Sequence, residues 1–211
     1  MKRAPTQERR GRGRPREFDR EEALARALEV FWAHGYEGAS IADLTGAMGI
    51  TTPALYGAFT SKAELYREAA ELYQARQSEA FWKAVEHEPT VRGALTVLLE
   101  GAARAFTDPR VPRGCMLSTA VLTCAEENQP IARFTASMRQ GALERLQTLL
   151  GRGVETGELP ATTDVVGLAR FYGAITQGMS VQASDGASEE DLMRIAAFAL
   201  SRFPGGDGPR G

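Results

Sequence analysis

Two histidines, His34 and His87, and two cysteines, Cys115 and Cys124, are the side chains of this sequence best suited to proton transfer, nucleophilic attack or metal binding near neutral pH. Neither histidine has an acid and a nucleophile at a spacing that builds a triad, and the four residues lack the close-set pairs that hold zinc. On one continuous helix, the step from Cys115 to Cys124 turns the chain through about 900°, so the thiols would face opposite ways and an intrahelical disulfide is not expected. No catalytic residue, metal site or cofactor is therefore expected. Nor does a glycine-rich phosphate loop follow a strand, because no strand is predicted. The chemistry the sequence does offer is recognition of anions by cations, hydroxyls and helix amides.

The cations are concentrated at one end. Residues 1–16 carry seven bases (Lys2, Arg3, Arg9, Arg10, Arg12, Arg14 and Arg16) against the single acid Glu8, a charge of plus 6, whereas the 211-residue chain as a whole stands at minus 2. Residues 1–62 come to plus 2 and residues 63–211 to minus 4, so the chain is bipolar and its near-neutral total does not exclude a nucleic-acid partner. Within the arm, Arg12-Gly13-Arg14-Pro15 resembles the core of an AT-hook. Its thin extended backbone lets two guanidiniums lie along a narrow minor groove. A solvated basic tail giving nonspecific attraction is the other reading of the same residues.

These groups need elements to position them. With 43% hydrophobic and 25% charged residues, the chain can bury a real core. From residue 19 apolar positions recur at spacings of three and four, and period-2 alternation never persists, so an all-α protein is expected. Capping residues and Gly/Pro breaks predict nine helices, at 19–34, 41–48, 52–58, 62–87, 91–107, 114–126, 130–156, 163–182 and 189–203. Asp19 with Glu22 reads as a capping box for the first. The expected organisation is a basic arm (1–18), a small helical unit (19–62), a larger helical body (63–203) joined to it rigidly by the fourth helix, and a tail (204–211) too poor in apolar residues to fold. No run of 18 apolar residues occurs, and no apolar segment follows the arginine-rich start. A cytoplasmic, nucleoid-associated protein without a membrane partner is expected.

Residues 41–59 have the form of a helix-turn-helix. One helix ends at Gly49, Ile50 plugs the turn, Thr51 caps a second helix, and Ile41, Leu44, Met48, Leu55 and Phe59 can pack with Phe31. From spacing alone an αα-hairpin with no nucleic-acid role stays open. The pattern Phe31…Gly35-Tyr36…Ser40-Ile41…Gly49-Ile50-Thr51…Leu55-Tyr56…Phe59-Thr60-Ser61-Lys62…Leu65 resembles the signature of the tetracycline-repressor (TetR) family of bacterial regulators. That resemblance implies a homodimeric repressor whose third helix enters the major groove of a double-stranded operator and whose C-terminal domain binds a small-molecule effector. It maps groove-facing roles onto Thr51, Thr52, Pro53, Ala54 and Gly57, and phosphate contacts onto Tyr56 and Lys62, with Ser40 and Thr60 in the same DNA-facing set. Gly57-Ala58 departs from the family pattern, where larger side chains are common, so direct base readout by this helix is thin and the arm is a candidate for the missing specificity.

In the body, Leu192, Ile195 and Ala199 stripe one helix and Leu168, Ile175 and Met179 another. Together they are the expected dimer interface, with packing inside one subunit as the alternative. Phe81, Trp82, Phe106, Met116, Thr119, Phe134, Met138, Phe171 and Tyr172 suit an apolar effector pocket, although each alone is more often core. Cys115 follows Arg113-Gly114 near a helix start, where the arginine and the helix dipole would favour a reactive thiol. Electrophile or oxidant sensing through this pocket cysteine is therefore a second reading beside an inert buried thiol. A third is an architectural DNA-coating protein with no effector.

Overall fold

The computed structural model describes residues 19–204, apart from the side chains of residues 77–80. The arm with Arg12 and Arg14, and the end of the tail, lie outside the described residues. Described elements are α1 (Arg20–Gly38), α2 (Ile41–Met48), α3 (Thr52–Phe59), α4 (Lys62–Tyr73), a π-helical turn (Gln74–Ser78), α5 (Glu79–His87), α6 (Val91–Thr107), α7 (Met116–Thr119), a 3-10 turn (Glu126–Asn128), α8 (Gln129–Glu155), α9 (Val165–Ser184) and α10 (Glu189–Leu200). No strand occurs among them, and no helix is long and apolar enough to cross a membrane.

Helix starts follow the capping residues. Ser40 and Ser188 form reciprocal capping boxes with Asp43 and Asp191, while Thr51, Ser61, Thr90 and Asp164 each accept a first-turn amide. Asp19 caps α1 through the amides of Glu21 and Glu22. The Glu22 carboxylate, expected to complete a box there, instead reaches Arg26 one turn on, at 2.5 Å.

Three expectations change. The fourth helix is not a uniform rod, because a π-turn separates α4 from α5 immediately after Tyr73. The sixth, expected over 114–126, is a single turn at Met116–Thr119. The next carbonyl, of Ala120, accepts the Tyr36 amide of α1 at 3.1 Å, and Cys124 sits in irregular chain beyond it. The premise that both cysteines share one helix therefore fails, although both thiols are free.

Two apolar clusters form the core. One joins Leu28, Phe31, Leu44, Leu55 and Phe59 of the N-terminal helices to Leu65, Tyr66 and Tyr73 of α4, and also takes in Met116, Leu117 and Ile131 from the body. The other is built from Leu95, Leu98, Leu99, Leu149, Leu150, Met179 and Leu192. Each fully buried Leu or Phe contributes roughly 1.5–3 kcal/mol. Packing of the small unit thus runs well past residue 62 and captures α7.

Candidate DNA interface and ligand cavity

Residues 40–62 build a convex corner. Gly49 closes α2 at φ 68°, ψ 28°, a left-handed conformation that glycine adopts without penalty, and Ile50 then tucks against the core. The turn presents α3 with Leu55 and Phe59 inward and Thr51, Thr52, Pro53, Tyr56, Gly57 and Thr60 exposed, Ala54 being half-buried. The hydroxyl of Thr51 accepts from the Ala54 amide, which leaves its proton for a phosphate. A side chain at Gly57 would meet nothing within 4 Å. The corner is braced from α1: Arg20 stacks 4.3 Å over Phe59 and pairs with Glu68 at 2.8 Å.

Ser40 and Lys62 are held differently from Thr51. The Ser40 hydroxyl donates to Asp43 at 2.6 Å and accepts the Asp43 amide, so its proton is committed to the cap, and what is left there for an anion is the positive end of α2 rather than a free hydroxyl. The Ser40 hydroxyl, with the Ser40 amide, donates to the Asp43 carboxyl and holds it below its ordinary range. Lys62 lies half-buried with its ammonium 4.6 Å above the Tyr36 ring. Burial lowers its pKa, opposed by nearby Glu37; a phosphate placed there would favour the charged form.

Behind this unit a cavity of about 180 Å³ opens where the two core clusters meet. Phe81, Phe106, Cys115 and Met138 line it, with Trp82. So do residues that sequence reasoning missed: Trp32 of α1, Tyr73 at the end of α4, Leu117, Arg139, Leu143, Gly173, Thr176 and Gln177. Trp32 could have been suspected, because it stands about 100° round the helix from Phe31, so a ring that large needs a further neighbour beyond the Phe31 stripe to cover it. Arg139 gave no signal, since a lone arginine on a helix reads as solvated.

The other expected pocket residues lie elsewhere. Met116 is wholly buried in the first cluster and Tyr172 in the second. Thr119 borders an outer cleft between the end of α1 and α9. Phe134 lies beneath the Arg67 guanidinium, and Phe171 is on the outer side of α9, 40% exposed. The truncation of α7 and the rotation of about 100° per helical residue account for these shifts, since Gly173, Thr176 and Gln177, one turn apart, take the cavity-facing side of α9 instead.

Of the expected dimer stripes, Met179, Leu192 and Ala199 are buried within the subunit and pack it instead, while Leu168, Ile175 and Ile195 are half-buried against its core. The exposed large apolar side chains on the two helices are Val166, Phe171, Val181 and Phe198, the last 65% exposed.

Cys115 is half-buried, with its amide bonded to Ser180 at 2.7 Å. Arg113 does not face it: its Nε donates to the Ala183 carbonyl at 2.7 Å and its Nη2 to that of Ala187, at the end of α9. Burial pushes the Tyr73 hydroxyl, beside this thiol, well above its ordinary pKa.

The segment that floors the cavity also holds the DNA-facing unit. Trp32 Nε1 donates to the Gly114 carbonyl at 3.1 Å. A β-carbon at Gly35 (φ 70°) would stand 2.9 Å from the Ala120 carbonyl oxygen, so glycine alone permits that approach. Glu37 accepts from the Ala125 amide and from Asn128, both at 2.9 Å, and these bonds, that of Asn128 foremost, lower its pKa.

Comparison with known proteins agrees with this architecture. Residues 23–69 match the model for bacterial regulatory proteins of the tetR family, and residues 92–197 that for the tetracyclin repressor-like C-terminal domain. The chain is 38% identical over 201 residues to the HTH-type transcriptional repressor ComR of Escherichia coli (strain K12), covering 92% of this chain and 93% of that one. It is 30% identical over 188 residues to BdcR, another HTH-type transcriptional repressor of the same strain, covering 89% and 90%. Among solved structures it resembles a cysteine mutant of the TetR family transcriptional regulator CifR complexed with 26bp double-strand operator DNA, with TM-score 0.87 and 38% identity, covering 91% of this chain and all of that one. The chain belongs to the TetR family: it is a helix-turn-helix, DNA-binding transcriptional regulator and not an enzyme.

Proposed function

We propose that this chain acts as a homodimeric repressor, holding a palindromic operator through α3 of each subunit and leaving it when a small, largely apolar molecule occupies the cavity. One observation carries the reading: the cavity wall includes Trp32 and Tyr73 from the helices that brace the helix-turn-helix. A ligand there touches the DNA-facing unit directly and biases it to the extent that it prefers the released state. Both E. coli relatives named above are repressors, which supports the sign of regulation.

Selection of duplexes from a random pool, followed by footprinting, tests it. The expected result is protection of short palindromes with half-sites about one turn, ~34 Å, apart or a multiple of that. Protection spreading along any sequence would overturn the reading in favour of a DNA-coating protein. A second reading, covalent sensing of electrophiles, is favoured by the position of the Cys115 thiol on the cavity wall. Iodoacetamide treatment and peptide mapping decide it; an unlabelled Cys115 in the native chain removes it.

A further inference from the structure

We propose that the effector is a small carboxylate, one ring or a short branched hydrocarbon bearing a single anionic group, whose carboxylate pairs with Arg139. The inference rests on the cavity being the effector site. An engineered cavity of about 150 Å³ holds benzene, so about 180 Å³ admits one ring with a short substituent.

The charge around this space is one-sided. Among the described residues Arg139 is the only charged one on the wall, and no aspartate or glutamate lines it. Its Nη1 donates to the Leu117 carbonyl at 2.8 Å. No carboxylate is ion-paired with it among the described residues. Arg145, further along α8 and stacked 4.6 Å over Trp82, makes the contrast: Glu86 neutralises it at 2.5 Å. A guanidinium partly withdrawn from water beside an apolar space gains most from an anion, and its planar fork matches a carboxylate with two parallel hydrogen bonds.

Recognition and release then share one group. Leu117 belongs to the segment whose Gly114 and Ala120 carbonyls hold Trp32 and Tyr36 of α1. A carboxylate that draws Arg139 away from the Leu117 carbonyl loosens that segment's hold on α1.

Isothermal titration with phenylacetate and its neutral analogue phenylacetamide tests this on the full chain, Arg139→Met and Arg139→Lys. The expected result is at least about 10-fold tighter binding of phenylacetate by the wild type, as a charge-assisted pair supplies. The preference should be abolished in Arg139→Met, which still binds phenylacetamide and so reports an intact cavity, and reduced in Arg139→Lys. Should Arg139→Met fail to fold, the reduced preference of Arg139→Lys carries the test. Equal affinities in the wild type, or a preference that survives in both variants, overturns the carboxylate assignment and leaves the cavity as effector site standing. Binding of neither compound to the wild type overturns both.

Discussion

Gly57 poses the sharpest question at the residue scale. It sits on the exposed face of α3, where a β-carbon would have open space, and glycine in an exposed helix costs about 1 kcal/mol relative to alanine. Gly57→Ala is therefore expected to raise stability by up to about 1 kcal/mol in urea unfolding while weakening operator binding in an anisotropy titration, because the bare backbone allows close approach to DNA. Unchanged operator affinity would mean that this position does not meet the groove. The roles given to Tyr56 and Lys62 came from the family resemblance, whereas Thr51 was legible as a cap, which a local signal places without reference to the rest of the fold. Arg139 and Tyr73 were not, since their role depends on where α4 and α8 cross. Ser40 with Asp43 three residues on was legible as a helix start; that the hydroxyl gives its proton to Asp43 is what the structure adds.

At the scale of elements, the capped starts were predictable and the irregular ones were not. Ser40→Ala is expected to cost about 1 kcal/mol, as loss of an N-cap does. The partner Asp43 gives a pH signature. Its folded pKa lies below the ordinary 3.8, so its stabilising effect is present above pH 3.8 and fades as pH falls through the lower folded value. Urea midpoints of wild type and Asp43→Ala should differ at pH 7 and converge in acid below pH 3.8; a constant gap would contradict the cap. No local pattern marks the end of α7, because a tertiary partner, the Tyr36 amide, takes the Ala120 carbonyl. The same holds for the π-turn after Tyr73, which falls inside an unbroken helical periodicity. Trp32→Phe keeps the ring at the cavity but removes the bond to Gly114. It is expected to cost about 1 kcal/mol and to leave ligand binding in place while reducing how far ligand lowers operator affinity.

For the whole molecule, the proposed function has two consequences. A homodimer needs apolar surface that the subunit leaves uncovered, and on α9 and α10 the exposed large apolar residues are Val166, Phe171, Val181 and Phe198, whereas the stripe that periodicity selected is largely turned inward; a period of 3.6 shows that a helix has an apolar face, not which of two faces meets its own subunit. Phe198→Arg is expected to shift sedimentation toward monomer and weaken operator binding; a dimer of unchanged strength would place the interface elsewhere. The second is the proposed coupling between the cavity and the DNA-facing corner through the 114–128 segment. The most direct test is the anisotropy of a labelled operator duplex selected by the chain, titrated with phenylacetate at concentrations that raise the melting temperature of the free protein. The coupling predicts that operator Kd rises by at least about 5-fold, the lower end of ordinary allosteric coupling, in the wild type and not in Ala142→Phe, where the new ring fills the cavity. An operator affinity that stays constant while phenylacetate stabilises the protein would contradict it.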